Sequence, residues 1–125
     1  MRRLAKKILI AEDSPTMRSL IVSTLSAMGD YEIFEAANGF EALRILPREK
    51  VDLVITDINM PDINGLELLN FVKGNQQYQK IPLIIVSTEG SEKDKQKGLS
   101  LGADAYLVKP FRPEQLEELI LRFLP

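Results

Sequence analysis

The sequence contains no cysteine and no histidine. The lack of cysteine excludes disulfide bonds, thiol catalysis and zinc–thiolate sites. The lack of histidine excludes an imidazole base, an imidazole metal ligand and a phosphohistidine carrier within this chain. Any chemistry must therefore rely on carboxylates, amines, hydroxyl groups and the backbone.

Long apolar segments and a strong charge of one sign are also lacking. No segment approaches the roughly 20 apolar residues of a membrane span. The apolar stretch behind the basic start ends at Ala11, which is too short for a signal peptide. A net charge of −2 gives no support for broad electrostatic binding to nucleic acid or an anionic membrane. We therefore expect a cytoplasmic protein with neither nucleic acid nor membrane as a partner.

The 125 residues, 45% of them hydrophobic, suit one globular domain that spans residues 1–125. Short apolar runs alternate with helical patterns, which predicts strand–helix units around a parallel sheet. Strands are predicted near Lys7–Ala11, Tyr31–Ala36, Leu53–Asp57, Pro82–Val86 and Ala105–Val108. Helices are predicted to begin near Pro15, Gly39, Leu66, Glu92 and Pro113. With right-handed crossovers, the fold class is α/β with a doubly wound five-stranded parallel sheet.

Four of the predicted strands run directly into polar residues. The first strand leads to Glu12 and Asp13, the third ends at Asp57, and the fifth leads to Lys109. The fourth leads to Ser87 and its neighbour, which supply hydroxyl groups. Because parallel strands end at one edge of the sheet, we expect these side chains to share a site there. Taken singly, each acid could equally be a helix cap or a solvated loop residue.

Crowded carboxylates at this edge predict a cation site. Two unit charges about 4 Å apart repel by roughly 4 kcal/mol at an effective dielectric near 20, so the cluster must take up protons, a cation or both. Oxygen ligands alone favour Mg²⁺, with Ca²⁺ and Mn²⁺ as alternatives. Lys109 could hold a phosphoryl group, and Asp57, alone at its strand end, is the candidate nucleophile for an aspartyl phosphate.

The motifs at these strand ends match a known family as a set. They are Glu12-Asp13, Asp57 with Met60-Pro61 and Gly65, Ser87, and Lys109-Pro110-Phe111. On these residues the chain resembles a two-component response-regulator receiver domain, the CheY-like family, over essentially its whole length. The resemblance implies a flavodoxin-like (β/α)5 fold with strand order 2-1-3-4-5.

The resemblance also implies roles for the acidic residues. Asp57 would accept phosphate from the phosphohistidine of a partner sensor histidine kinase. Asp13 and Asp57 would bind Mg²⁺ directly, the Asn59 backbone carbonyl would add a ligand, and Glu12 would act mainly through water. Glu12 stands where the family more commonly has Asp.

The same resemblance implies a switch. Ser87 and Lys109 would contact the phosphoryl oxygens, and the Lys109–Pro110 peptide would be cis. Ser87 and Tyr106 match the family's switch pair, whose hydroxyl moves toward the phosphate while the aromatic ring follows inward. This movement would change the face formed by the fourth helix, fifth strand and fifth helix, and the charged Glu92–Ser100 segment is a plausible mobile element.

The expected output is protein binding and not turnover. No effector segment is expected after the final helix, so another protein would read the phosphorylated form. Asn59 and Glu89 occupy the family positions that tune phosphate lifetime, and this pair resembles the chemotaxis CheY type, whose reader is the flagellar motor switch. Other stand-alone receivers share the pair, so a relay or a non-chemotaxis effector stays open. A phosphatase is a further partner of such proteins.

Two other classes compete with this interpretation. A Mg²⁺-dependent aspartyl-phosphate phosphatase would be an enzyme, but it would normally need an acid where Asn59 stands. A pseudo-receiver would no longer cycle phosphate, although the complete acidic set and Lys109 argue against it. We therefore expect a protein that catalyses only its own phosphorylation and dephosphorylation.

Overall fold

A computed structural model describes residues 5–125 and contains five strands and five helices in strict alternation. The strands are β1 (Lys7–Ala11), β2 (Glu32–Ala36), β3 (Leu53–Thr56), β4 (Leu83–Ser87) and β5 (Ala105–Val108). The helices are α1 (Pro15–Met28), α2 (Gly39–Ile45), α3 (Gly65–Gly74), α4 (Glu92–Ser100) and α5 (Pro113–Phe123). Every predicted element is present, and no strand begins or ends more than one residue from its predicted position. The main shift concerns Ser87, which ends β4 instead of following it.

Side-chain caps explain where most of the helices begin. Four helices follow a residue whose side chain accepts a hydrogen bond from the backbone three residues later, namely Ser14, Asn38, Asn64 and Ser91. Such caps satisfy N–H groups that would otherwise lack a partner in the first helical turn. The cap of α4 helps to explain why this charged helix forms in spite of Gly98, an unfavourable residue for a helix interior.

All five strands are parallel and follow the order β2-β1-β3-β4-β5. This confirms both the doubly wound sheet and the strand order that the family resemblance implies. The chain moves outward from β1 in opposite directions, so the order reverses between β1 and β3. Ala11 pairs with Thr56 at this point, which places the carboxyl ends of the two strands side by side. Ligand sites of open α/β sheets lie at such a reversal.

The sheet separates two hydrophobic cores, because successive strand residues point to opposite faces. Leu9 and Val54 belong to one core, together with buried residues of α2 and α3. Ile10 and Ile55 belong to the other, together with buried residues of α1 and α5. The helices thus use their apolar sides to cover the sheet. Among residues 5–125, none of the helices combines the length and apolar character needed to cross a bilayer.

Candidate functional site

The predicted site residues converge at the carboxyl edge of the sheet. Backbone pairing extends one residue past the strands, because the Asp57 amide donates to the Ala11 carbonyl at 2.9 Å and the Lys109 amide donates to the Ser87 carbonyl at 2.8 Å. Glu12 is held in the same way by the Ala36 carbonyl at 2.9 Å. The rigid sheet therefore fixes the backbone of each strand-end residue before any side-chain contact is considered.

Three carboxylates form the centre of the site. Glu12, Asp13 and Asp57 each offer an oxygen, and these oxygens lie within 4.8 Å of one another. Glu12 is 1% exposed and Asp57 is 8% exposed, whereas Asp13 faces solvent. Lys109 joins the two buried acids, since its Nζ lies 2.6 Å from Glu12 Oε1 and 3.2 Å from Asp57 Oδ2. The sequence prediction that these four residues meet is correct.

The charges and donor atoms of this cluster fit a divalent cation. The single ammonium group of Lys109 leaves two of the three carboxylates uncompensated. Carboxylate oxygens without nitrogen or sulfur ligands are the set that Mg²⁺ prefers, and the exposed Asp13 leaves one side open to water and substrate. No second group of three such residues occurs within residues 5–125.

Burial and ion pairing shift the pKa values of Glu12 and Lys109 in opposite directions. Burial raises the pKa of the Glu12 carboxyl above its ordinary value, although the Lys109 hydrogen bond acts against the shift. Burial alone would lower the pKa of Lys109, but the hydrogen bond to Glu12 and the charge of Asp57 outweigh it and raise that pKa. Lys109 therefore remains a cation throughout the neutral range.

The loop between β3 and α3 packs closely against Asp57. The Ile58 amide donates to Asp57 Oδ1 at 2.7 Å, and the Gly65 amide donates to the Ile58 carbonyl at 2.8 Å. A Cβ on Gly65 would overlap the Asp57 carbonyl oxygen. Only glycine therefore allows α3 to begin so close to Asp57. Asn59 lies on this loop with its side chain exposed, so its roles in metal binding and phosphate lifetime stay predictions.

Ser87 and Tyr106 are connected through the backbone of Glu89. Ser87 is fully buried, and its Oγ accepts a hydrogen bond from the Glu89 amide at 3.0 Å. The half-buried Tyr106 donates its hydroxyl hydrogen to the Glu89 carbonyl. The backbone of Glu89 is thus hydrogen-bonded to the hydroxyl groups of both Ser87 and Tyr106. The Lys109–Pro110 peptide is cis, as the family resemblance implies.

Helix α4 packs against the Tyr106 ring through Gly98. A Cβ at position 98 would lie 3.0 Å from Tyr106 Cδ2 and 3.0 Å from Ile85 Cδ1, closer than side-chain carbons normally approach. Burial also raises the pKa of Tyr106. The absence of a side chain at position 98 therefore allows the ring to lie under α4.

We expect Gly98→Ala to move the Tyr106 ring outward. Alanine favours the helix by about 1 kcal/mol, but its methyl group competes with the ring for the same space. The pKa of Tyr106 should then fall toward its ordinary value, as measured by an NMR titration of Tyr106 in the variant and in the wild type. Gly74→Ala is the matched control, since a Cβ there meets no atom within 4 Å. An unchanged Tyr106 titration in Gly98→Ala would contradict the role given to Gly98.

One contact at this edge was not predicted from the sequence. Arg18 Nη1 donates to the Glu12 carbonyl at 2.7 Å, and Arg18 Nε lies 3.1 Å from Glu35 Oε1. Arg18 lies in the first turns of α1, where a basic residue looks like an ordinary solvated side chain. Nothing in the spacing of the motifs indicated that it turns toward the acidic cluster.

Comparison with known proteins agrees with the fold. Residues 8–121 match the response regulator receiver domain family. A Campylobacter jejuni protein described as a chemotaxis protein CheY homolog is 42% identical over 113 residues, covering 90% of this chain and 87% of its own. The structure of chemotaxis protein CheY4 from Vibrio cholerae superposes with a TM-score of 0.88 at 38% identity, covering 97% of this chain and 100% of its own.

A third relative carries a metal. The receiver domain of a Pseudomonas aeruginosa sensor histidine kinase superposes with a TM-score of 0.86 at 25% identity, covering 96% of this chain and 98% of its own. That domain was solved with a magnesium ion coordinated in its active site cleft.

The chain belongs to the response regulator receiver domain family. It is therefore a signalling domain of two-component systems, and its homologues include chemotaxis CheY proteins.

Proposed function

We propose that Asp57 accepts a phosphoryl group from a sensor histidine kinase in a Mg²⁺-dependent reaction, and that residues 1–125 act as one receiver domain. The supporting observation is the position of Asp57, whose Oδ2 lies 3.2 Å from Lys109 Nζ in a cluster with two more carboxylates. A carboxylate can act as a nucleophile toward phosphorus, and a cation held beside it can stabilise the negative charge that develops on the oxygens of the transferred group.

Each neighbour has a proposed part in this transfer. Asp57 attacks phosphorus, the bond from phosphorus to the donor nitrogen breaks, and an acyl phosphate remains on Asp57. Asp13, Asp57 and the Asn59 carbonyl would hold Mg²⁺, with Glu12 acting through water. When bound, the cation would neutralise charge on the phosphoryl oxygens. Lys109 contributes a second positive charge to the same oxygens.

The proposed switch begins at Ser87. Its buried hydroxyl oxygen accepts a hydrogen bond from the Glu89 amide, and a phosphoryl group at Asp57 would offer the hydroxyl hydrogen a charged acceptor. A change in that hydrogen bond would reach Tyr106 through the Glu89 carbonyl. The α4–β5–α5 face would then have two arrangements, and the phosphoryl group would contact Ser87 in only one of them. The population of that arrangement would therefore be higher in the phosphorylated protein than in the unphosphorylated protein.

Chemotaxis is the proposed pathway, with the flagellar motor switch as the reader. The named CheY homolog of Campylobacter jejuni is aligned over 87% of its own length, so the likeness extends over nearly all of that protein. Asn59 and Glu89 at the positions that tune phosphate lifetime agree with this assignment.

Acetyl phosphate provides the direct test, because it delivers a phosphoryl group without a kinase. Incubation with Mg²⁺ should add one phosphoryl group per chain, detected by intact-protein mass spectrometry and located at Asp57 by peptide analysis. EDTA should suppress the addition by at least about a hundredfold, since the charge of the cluster would then repel the donor. Addition at another residue, or equal addition in EDTA, would contradict the proposal.

A further inference from the structure

Arg18 connects Glu12, at the end of β1, to the neighbouring strand β2. Its guanidinium group donates to the Glu12 carbonyl at 2.7 Å through Nη1 and pairs with Glu35 of β2 at 3.1 Å through Nε. The Arg18 side chain is 21% exposed, whereas that of Glu35 is 50% exposed. The contact with the carbonyl is therefore the better shielded of the two, and the exposed ion pair by itself would contribute little to stability.

The bonded carbonyl belongs to the peptide that joins Glu12 to Asp13. Glu12 is already fixed at its amide by Ala36, at Oε1 by Lys109 and at Oε2 by the Ser14 amide. The Arg18 bond adds its carbonyl, so every polar group of Glu12 has a partner. The peptide leading to Asp13 is therefore restrained at its oxygen as well.

Asp13 is the acid that most needs such support. Lys109 contacts Glu12 and Asp57 but forms no ion pair with Asp13. No hydrogen bond between side chains of residues 5–125 holds the exposed Asp13 carboxylate, so the backbone that fixes its Cα and Cβ is what keeps it beside the other two acids. Groups that hold a metal ligand in place raise affinity because the ligand loses less freedom on binding.

We propose that Arg18 is a positioning residue that preorganises Asp13 for Mg²⁺ by clamping the Glu12–Asp13 peptide. The proposal rests on the proposed function, because it concerns the same cation site. The proposal also predicts in which direction the Mg²⁺ affinity changes when Arg18 is replaced. Removing a positive charge near an acidic cluster should tighten cation binding by electrostatics alone, whereas losing a clamp should weaken it.

The test is the Mg²⁺ dissociation constant of Arg18→Met, measured by calorimetry or NMR titration of the folded protein. We expect binding about tenfold weaker than in the wild type. Arg18→Lys retains a donor for the carbonyl and should recover most of the affinity. Glu35→Gln removes the outer anchor while leaving the guanidinium group in place, and should weaken binding only about twofold. Arg44→Met on α2 is the matched control and should bind like the wild type.

Two further measurements separate positioning from general destabilisation. In the metal-free protein, the Ser14 amide of Arg18→Met, which donates to Glu12 Oε2 at 3.1 Å in the wild type, should exchange with solvent faster, while amides of β3 keep their protection. With acetyl phosphate, the variant should be slow at limiting Mg²⁺ and approach the wild-type rate at saturating Mg²⁺. Unchanged or tighter binding in Arg18→Met would overturn the role of Arg18 alone. A wild-type chain that fails to bind Mg²⁺ would overturn the proposed function and this proposal with it.

Discussion

Asp57→Asn should incorporate phosphoryl groups from acetyl phosphate at least about a thousandfold more slowly than the wild type. The amide that replaces the carboxylate is a poor nucleophile, and no other carboxylate occupies the same position. Glu12 is engaged by Lys109 at 2.6 Å and by the Ser14 amide at 3.1 Å, and Asp13 lies on a different strand end. Quantitative intact-protein mass spectrometry over time gives the two rates.

A loss of activity in this variant should not reflect unfolding. Asp57→Asn removes one of three crowded carboxylates, so the free energy of unfolding in EDTA should rise by about 1–2 kcal/mol. Asp62→Asn makes the same chemical change five residues later in the same loop. Asp62 is exposed and has a φ of 66°, a conformation that asparagine also adopts readily. This control should be phosphorylated like the wild type, and labelling of Asp57→Asn would disprove the assigned acceptor.

Lys109→Met should destabilise the metal-free protein by about 3 kcal/mol at pH 7, measured by urea unfolding in EDTA. The change leaves Glu12, which is 1% exposed, without its 2.6 Å ion pair and leaves three carboxylates with no cation among them. Mg²⁺ should bind more tightly than in the wild type and restore most of the lost stability. Phosphorylation should nevertheless fall at least about a hundredfold, because the variant lacks the positive charge that we propose stabilises the phosphoryl oxygens.

The pH dependence of this deficit has a definite sign. Burial already raises the pKa of Glu12 in the folded protein, and removing Lys109 takes away the main opposing contact. The folded variant should therefore bind a proton that the unfolded chain binds only at lower pH, so its stability relative to the wild type improves as the pH falls from about 7 to about 5. A deficit that grows on acidification would contradict this account.

Lys7→Met is the matched control for Lys109→Met. Lys7 pairs with Glu49 at 3.1 Å, and the two side chains are 29% and 32% exposed. Because solvent screens such a pair, its loss should change the free energy of unfolding by less than about 1 kcal/mol. An equal loss of stability in the two variants would show that the burial of Lys109 does not increase its contribution to the free energy of unfolding.

The fold was largely predictable because its three inner strands, β1, β3 and β4, are almost completely buried. Leu83–Ser87 consists almost entirely of apolar residues and directly follows Pro82, so its predicted position was correct to within one residue. The side-chain caps of the helices join residues only three positions apart, so their chemistry is local as well. The strand order does not follow from such local patterns. It depends on pairing such as that of Ala11 with Thr56, between residues 45 positions apart, and only the family resemblance implied it.

The site was predictable in its members but not in its contacts. The principle that parallel strands end together brought Glu12, Asp57 and Lys109 to one edge, and the structure confirms this. The Arg18 contact depends on how the first turns of α1 lie over β2. The fit of Gly98 against Tyr106 depends on the distance between α4 and β5. Both are set by tertiary packing, which leaves no short-range signal in the sequence.

The ion pair between Lys109 and Glu12 joins residues 97 positions apart in the chain. Lys109 follows β5, an edge strand of the sheet, whereas Glu12 follows β1 near its centre. During synthesis, Asp57 is added to the polypeptide long before Lys109. In a folded chain from which β5 has detached, Lys109 has left the site while all three acids remain there. Under the role proposed for Lys109, rapid phosphorylation of Asp57 would therefore require β5 to be in place on the sheet. The cell would be spared signals from unfinished or partly unfolded copies, without any separate device for checking them.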